Sequence, residues 1–278
     1  MAEPSPSPVP LVDSHAHVWT KGMPLVANPR HRPDYEFTTE QYLAELDAHG
    51  IRFGVITGAS IFGTYNDYTI AAVRAHKRLR GTVLLDPSTD RQTMERMNEA
   101  GIVGVRLPWI SLSTIPAIDS EDYLGLLRRM ADLNWHIHLH VGLGRLPAIL
   151  PHIEDSGIRI VVDHFGYPDP KLGVNCPGFQ SVLRSIETGR TWVKLSAAYR
   201  VGREAARVYA RELLKVAGPE RLVWGSDAPY AGFESTTTYQ QTLDDFVDWV
   251  PDPGVRHQIG SVTPMELYFG DSKGHGES

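Results

Sequence analysis

Apolar residues are grouped along this chain in eight short runs, and each run is followed by a longer segment whose apolar positions recur with helical spacing. Most of the runs are apolar on both faces, which is typical of parallel strands that are covered on both sides. The predicted strands cover residues 11–18, 52–58, 80–85, 103–107, 136–141, 158–164, 191–196 and 221–226. The predicted helices cover residues 39–49, 66–77, 90–100, 121–133, 147–156, 178–187, 203–217 and 237–249.

This eightfold alternation of strand and helix favours a closed parallel barrel over a doubly wound sheet. The 278 residues fit a single α/β domain, a (β/α)8 TIM barrel of about 250 residues, which we place at residues 11–269. Residues 1–10 are rich in proline and are predicted to be a disordered lead-in, and residues 270–278 a flexible tail. The long loops at 19–36 and 108–120 are predicted to shape a substrate pocket.

Histidines and one aspartate stand at the ends of four predicted strands. His15 and His17 belong to the first strand, and both point to the same face because strand side chains alternate. His140, His164 and Asp227 end the fifth, sixth and eighth strands. Such barrels carry their catalytic groups at the C-terminal ends of the strands, so these side chains are predicted to converge on one mouth.

Imidazoles and a carboxylate at one point can bind a cation or act directly on a substrate. Zinc on His15, His17, His140 and Asp227 would have a complete set of ligands. Without metal, the histidines themselves would polarise a substrate carbonyl. Both alternatives stay open, and zinc is the one we prefer. A site with two metals is not expected, because Lys194 lies within the seventh strand and is not placed to bridge them.

Asp227 is the predicted general base. A carboxylate at the rim of an apolar strand is costly unless it binds a cation or accepts a proton. His164 is predicted to polarise a carbonyl or to transfer a proton, whereas its neighbour Asp163 should face the other way and anchor a loop. His136 and His138 lie deeper in the barrel, so each requires a buried hydrogen-bond partner.

Four side chains are candidate substrate contacts. Arg106 ends the fourth strand and Arg200 follows the seventh, and guanidinium groups suit planar carboxylates or sulfonates. Ser60, after the second strand, could donate a hydrogen bond. His140 is the fourth candidate, since it lies nearest the mouth among the histidines of the fifth strand.

Composition and missing motifs exclude other classes of function. A formal net charge of −6 with mixed signs gives no case for nucleic-acid binding. No apolar stretch is long enough for a membrane span, the N-terminus does not resemble a signal peptide, and the phosphate-loop and serine-nucleophile motifs are absent. The single cysteine, Cys176, fits a reducing compartment, so a cytoplasmic location is predicted. The oligomeric state is not predicted.

The motifs as a set resemble the amidohydrolase superfamily, and in particular its amidohydrolase-2 branch. The resemblance spans residue 11 to about residue 269. It rests on the segments Asp13-Ser-His15-Ala-His17, Gly104-Val-Arg106, Asp163-His164-Phe-Gly166, Val193-Lys-Leu-Ser196 and Gly225-Ser-Asp227-Ala-Pro229. Within the branch, the chain is most similar to lactonases that act on 2-pyrone-4,6-dicarboxylate, sugar acids or muconolactones.

This resemblance implies roles for the residues that match the family's motifs. Asp227 would activate water against a lactone carbonyl. The carbonyl would be polarised by His15, His17 and His164, and the substrate's acid groups would be held by Ser60, Arg106 and Arg200. This chain departs from the pyrone lactonase at two positions. That enzyme has a second arginine shortly after the position of Arg106, which this chain lacks. It also works without metal and has a tyrosine at the position of His140. A histidine at that position is the pattern of the zinc-dependent members.

We therefore expect a hydrolase that opens a small anionic lactone with an Asp227-activated water, with or without one zinc ion. The alternative is a metal-dependent, non-oxidative decarboxylase of an aromatic or unsaturated carboxylic acid. It would use the same metal ligands, so the sequence separates the two reactions poorly.

Overall fold

Eight parallel strands pair in chain order in the computed structural model, which describes residues 9–142 and 144–270. The strands are β1 Val12–Ala16, β2 Phe53–Thr57, β3 Leu79–Val83, β4 Ile102–Leu107, β5 His136–Leu139, β6 Arg159–Val162, β7 Thr191–Leu195 and β8 Leu222–Trp224. A parallel bridge between Ala16 and Ala228 joins the first strand to the last and closes the barrel. The predicted (β/α)8 fold is confirmed. The predicted lead-in and tail lie outside the described residues, apart from residues 9, 10 and 270.

Helices follow the strands and cover the outside of the barrel. They are α1 Thr39–Ala48, α2 Asp67–Ala75, α3 Arg91–Ala100, α4 Glu121–Asp132, α5 Leu150–Asp155, α6 Pro177–Glu187, α7 Ala198–Val201, α8 Arg203–Ala217, α9 Tyr239–Trp249 and α10 Pro253–His257. The sequence does not predict α7 or α10, because four or five residues are too few to show a helical period. Within the described ranges, none of the helices has the length and apolar character that crossing a membrane requires.

The start of α1 illustrates how local sequence sets these boundaries. The Thr38 hydroxyl accepts a hydrogen bond from the backbone N–H of Gln41, and the Gln41 side chain accepts one from the backbone N–H of Thr38. This reciprocal capping satisfies donors that the first turn of a helix leaves unpaired. The helix therefore begins at Thr39, as predicted.

A bulge in β1 aims the first two histidines into the barrel. The pairing of β1 with β2 shifts register between Asp13 and Ala16. Val12 belongs to an apolar cluster inside the barrel, while the next residue, Asp13, accepts a hydrogen bond from Tyr239 of α9 on the outside. An extra residue then restores the inward direction at His15. The bulge thus separates an apolar floor from a polar upper interior.

The floor of the barrel is apolar and is closed by the end of the described chain. Its buried members are Val12, Val55, Val161, Val223, Leu267 and Tyr268. Leu267 and Tyr268 come from the π-helical turn Met265–Phe269, which follows the last strand. A second, larger core lies between the strands and the helices. This apolar floor lies toward the N-terminal ends of the strands, opposite the end at which the site residues stand.

Candidate active site

A cavity of about 240 Å³ opens at the C-terminal ends of the strands. Its polar lining residues are His17, Arg30, His31, Ser60, Arg106, His140, His164, Arg200 and Asp227. Every candidate from the sequence therefore borders the cavity except His15, which is completely buried beneath it. The loop at 19–36 contributes to the wall, as predicted, whereas none of the described lining residues comes from 108–120.

Two of the site residues leave their strands in an unusual backbone conformation. His164 has a φ of 50° and Asp227 a φ of 60°, in the left-handed region that non-glycine residues rarely adopt. Such a conformation costs on the order of 1 kcal/mol or more and is often found at functional sites. Gly225 lets β8 pass close to β1, because a Cβ atom there would lie 2.6 Å from the Cβ of His15.

The two carboxylate oxygens of Asp227 have different surroundings. Oδ2 accepts hydrogen bonds from the Tyr199 hydroxyl at 2.5 Å and from Nε of Arg200 at 3.0 Å. Oδ1 faces three imidazoles. It lies 3.3 Å from Nε2 of His15, 3.4 Å from Nε2 of His17 and 3.9 Å from Nε2 of His164. One oxygen is thus held in place by donors, and the other is directed at the centre of the site.

The hydrogen bond of His17 identifies which of its ring nitrogens is free. Nδ1 lies 2.6 Å from the backbone carbonyl oxygen of Thr57. A carbonyl only accepts, so Nδ1 carries the proton and Nε2 presents a lone pair to the site. For His164, Nδ1 lies 2.8 Å from the hydroxyl of Ser196, which can donate or accept. That contact leaves Nε2 of His164 free to face Asp227 and the cavity.

Below the cavity lies a charged layer with Lys194 and Asp163 at its centre. Nζ of Lys194 lies 3.0 Å from Nδ1 of His15, 3.0 Å from Nδ1 of His138 and 3.1 Å from Oδ1 of Asp163. His138 in turn contacts Nδ1 of His136 through its Nε2 at 2.9 Å, so both deep histidines have the expected buried partners. This layer lies between the apolar floor and the mouth of the barrel.

Asp163 does not anchor a loop, as the sequence predicts, but points into the barrel. Its Oδ2 accepts a hydrogen bond from Nε of Arg106 at 2.9 Å. The prediction fails because Asp163 follows the last residue of β6 in extended conformation, and the turn into the left-handed region begins only at His164. Arg106 also donates to the carbonyl oxygen of Gly58 at 3.0 Å and contacts Nδ1 of His140 at 3.1 Å.

Burial and neighbouring charges shift the pKa of the central groups. Burial alone would raise the pKa of the Asp227 carboxyl, but the neighbouring His164 and Arg200 hold it well below its usual range. Burial lowers the pKa of His164 to about 4, although Asp227 and Asp163 act in the opposite direction. Burial also lowers the pKa of Lys194 to about 8, again against Asp163. At neutral pH, Asp227 is therefore an anion, His164 is neutral and Lys194 is mostly an ammonium.

The spacing of the donor atoms fits a metal ion in part. Donor atoms of His15, His164 and Asp227 all lie within 4.8 Å of one another. Nε2 of His15 and Nε2 of His17 are 3.3 Å apart, and each lies 3.3 or 3.4 Å from Oδ1 of Asp227. Ligands on a tetrahedral zinc ion are separated by about 3.3 Å. Of the four predicted ligands, His15 and Asp227 belong to that group of three, whereas His17 and His140 do not, and Nδ1 of His140 faces Arg106.

Several residues of the site are not predicted from the sequence. Tyr199 holds Asp227, Thr57 sets the ring proton of His17, and Lys194 underlies His15. The signal for Lys194 is a lysine in the middle of an otherwise apolar strand, which is expensive to bury without a carboxylate partner. No local pattern identifies Thr57, since its backbone carbonyl makes the contact.

Comparison with known proteins finds relatives that match nearly the whole chain. Residues 12–270 match the sequence profile of a protein family described as amidohydrolase. The chain is 27% identical over 274 residues to a 4-sulfomuconolactone hydrolase of Hydrogenophaga intermedia, which covers 94% of this chain and 89% of that protein. It is 28% identical over 268 residues to the 4-sulfomuconolactone hydrolase of Rhizobium radiobacter, which covers 92% of this chain and 89% of that protein. A crystal structure of a probable 2-pyrone-4,6-dicarboxylic acid hydrolase from Acinetobacter baumannii, with citric acid bound, has a TM-score of 0.89 at 30% identity and covers 94% of this chain and 100% of that chain.

Proposed function

Because the chain belongs to the amidohydrolase family, we propose that it is a hydrolase that opens a small anionic lactone by attack of an activated water. The family resemblance predicted from the sequence is confirmed. Two curated relatives of this chain are 4-sulfomuconolactone hydrolases, and they align over nearly the whole barrel. The observation that carries the proposal is Oδ1 of Asp227, an ionised carboxylate oxygen that faces imidazoles at the floor of a cationic cavity.

The charges around the cavity favour an anionic substrate. Arg30, Arg106 and Arg200 all border it. Arg106 uses three of its five N–H donors on other residues of this chain, and Arg200 uses two of its five, so both retain donors for a ligand. Arg30 is exposed at the mouth. A carboxylate or sulfonate on the lactone would complement these guanidinium groups.

The proposed reaction begins with a water that contacts Oδ1 of Asp227. Nε2 of His17 is a second acceptor beside it, so a water that donates to both would have its own lone pairs directed away from them. Asp227 removes a proton as the water oxygen attacks the lactone carbonyl. Tyr199 and Arg200 hold Oδ2 meanwhile, so the carboxylate keeps its orientation through the transfer.

Attack on the carbonyl places negative charge on its oxygen, which requires donors. The unused N–H groups of Arg106 border the cavity and are suited to this role, as is Nε2 of His164 when the Ser196 hydroxyl donates to its Nδ1. The ring C–O bond then breaks, and the leaving oxygen takes the proton from Asp227. The products are a free carboxylic acid and a hydroxyl or enol group, so one water is consumed for each lactone. His15 is too deeply buried to touch the substrate, so we assign it a role through Asp227.

A bound zinc ion would polarise the carbonyl and lower the pKa of the attacking water. The donor spacing fits such an ion, but the hydrogen bonds of two predicted ligands do not. Ligating histidines donate their second ring N–H to an acceptor, whereas Nδ1 of His15 and Nδ1 of His140 each face a cationic donor. No step is therefore assigned to the metal. The predicted zinc ion stays a prediction, which elemental analysis of protein purified without added ions checks.

Decarboxylation of an aromatic or unsaturated acid is the competing reaction, and it depends on the metal. The same contacts at His15 and His140 therefore weigh against it. A panel of lactones and a panel of carboxylic acids, read in parallel by a pH indicator and by CO2 detection, separate the two reactions. Proton release from an anionic lactone is expected, and CO2 release without lactone turnover would contradict the proposal.

The cytoplasmic location also stays a proposal. It rests on the single cysteine, Cys176, which is buried and unpaired. Fractionation of cells that express the full chain is the direct test, and recovery outside the cytoplasm would contradict it.

A further inference from the structure

Lys194 is a buried charged residue inside the barrel to which the proposed reaction assigns no role. Its side chain is fully buried beneath the active site, where Nζ contacts Nδ1 of His15, Nδ1 of His138 and Oδ1 of Asp163. An ammonium has three N–H donors and accepts nothing. Two imidazole nitrogens at 3.0 Å are placed to accept from it, and the Asp163 carboxylate, at 3.1 Å, forms an ion pair that supplies the compensating charge.

We propose that Lys194 fixes the ring proton of His15 on Nε2 and so makes this imidazole a hydrogen-bond donor to Asp227 instead of a ligand for a divalent cation. A ring nitrogen that accepts from an ammonium carries no proton, so the proton of the neutral ring resides on the other nitrogen. Nε2 of His15 then has an acceptor on each side. Oδ1 of Asp227 lies 3.3 Å from Nε2 of His15, and Nε2 of His17, which carries a lone pair, also lies 3.3 Å from it.

A metal ligand needs the opposite arrangement. His15 could bind a cation through Nε2 only if its proton moved to Nδ1, where it would face the ammonium of Lys194 at 3.0 Å. The nearest carboxylate oxygen, Oδ1 of Asp163, lies at 3.5 Å from Nδ1. The ring would then stand between two positive charges, and Lys194 would lose one of its acceptors. Binding of a cation at this position is therefore opposed both by charge and by hydrogen bonding.

The two neighbouring histidines provide an internal comparison. His17 has the arrangement of a ligand, because its Nδ1 donates to the carbonyl oxygen of Thr57. His140 has the arrangement of His15, because its Nδ1 contacts a guanidinium nitrogen of Arg106, which does not release its proton. Three histidines are suitable ligands for zinc by residue type. The cations that contact Nδ1 of His15 and Nδ1 of His140 nevertheless oppose zinc binding by these two rings.

This inference rests on the proposed site, but its test does not use turnover, so the two can fail separately. The full chain and its Lys194→Met variant would be stripped with a chelator, equilibrated with Zn²⁺ and analysed for bound metal. Methionine has similar length and no charge, and Lys215→Met on the surface of α8 is the matched control. We expect less than about 0.2 equivalents of zinc in the wild type and in the control. We expect about one equivalent in Lys194→Met, with an affinity at least tenfold higher.

A second substitution assigns the gained zinc to this site. Adding His17→Gln to Lys194→Met should remove the gain, because His17 is the one of the three rings with a free lone pair at Nε2. Equal zinc affinity in wild type and Lys194→Met would overturn the proposal, as would a gain that survives His17→Gln.

A measurement on the unaltered chain keeps the proposal testable if Lys194→Met does not fold. Histidine labelled with ¹⁵N distinguishes the two ring tautomers by NMR, and the His15 signals can be assigned by comparison with His15→Gln. The expected result is a neutral His15 ring with its proton on Nε2. A proton on Nδ1 would overturn the proposal.

Discussion

Asp163 and Asp227 are two buried carboxylates inside the same barrel, and their surroundings differ in a way that separates structure from chemistry. Asp163 lies in the deep layer, where Lys194 faces one oxygen and Arg106 donates to the other. Asp227 lies at the mouth, where donors hold only Oδ2 and Oδ1 faces imidazoles and the cavity. Both carboxylates are ionised, but only Asp227 borders the cavity, so only its Oδ1 is open to a water beside a bound substrate.

The largest expected effect is a loss of activity when Asp227, at the mouth of the barrel, is replaced. Asp227→Asn should lower kcat on an anionic lactone by on the order of 10² or more, because the amide cannot take the proton from water. The amide retains the shape of the side chain and one acceptor for Tyr199, so circular dichroism and the melting temperature should change little. Turnover close to that of the wild type would contradict the assignment of Asp227 as the base.

In the deep layer, an aspartate-to-asparagine substitution at Asp163 should lower the free energy of unfolding. Asp163→Asn leaves Lys194 and Arg106 buried without a carboxylate, and breaking such a pair costs about 3–5 kcal/mol of folding free energy. Urea denaturation of the two proteins measures this difference. Asp244→Asn on the exposed face of α9 is the control and should change stability little. A loss of activity with unchanged stability in Asp163→Asn would mean that the two carboxylates do not divide their roles in this way.

The sequence predicts the mouth better than the deep layer, and the reason is geometric. His17, His164 and Asp227 stand at strand ends, and the ends of parallel barrel strands always meet at one face. The contact between Lys194 and His15 joins residues 179 positions apart through the barrel interior. Their meeting depends on strand register and on the bulge in β1, which the alternation of apolar residues does not encode.

The misassignment of Asp163 has a related cause. Side chains alternate along a regular strand, so a residue directly before His164 is expected to face away from it. The chain instead turns at His164, whose φ is 50°, and this turn brings both side chains to the inside. Polar residues at strand ends can therefore be predicted as a set, but the direction of each one depends on backbone conformations that only the structure reveals.

A pH titration of stability should sharpen the contrast, since Lys194 has a pKa of about 8 against an ordinary value of 10.5. Between these pH values the unfolded lysine holds its proton and the folded one has released it. Unfolding then takes up a proton, so stability contributed by this group rises as pH increases from about 8 to 10.5. The shift corresponds to about 3 kcal/mol. The difference in unfolding free energy between wild type and Lys194→Met isolates it from other groups, and a difference that is flat across this window would contradict the assignment.

The smallest expected effect is at the entrance of the cavity, where Arg30 tests whether the mouth attracts an anion. Arg30→Ala should raise KM for an anionic lactone several-fold and leave kcat nearly unchanged, because an exposed guanidinium contributes about 1 kcal/mol to the binding of a carboxylate or sulfonate. Arg32→Ala is the matched control, since Arg32 is exposed on the same loop and is not among the lining residues. A neutral lactone should show no difference between the two variants. If both variants raise KM equally on the anionic lactone, the attraction arises from the general charge of the loop, and Arg30 has no specific contact with the substrate.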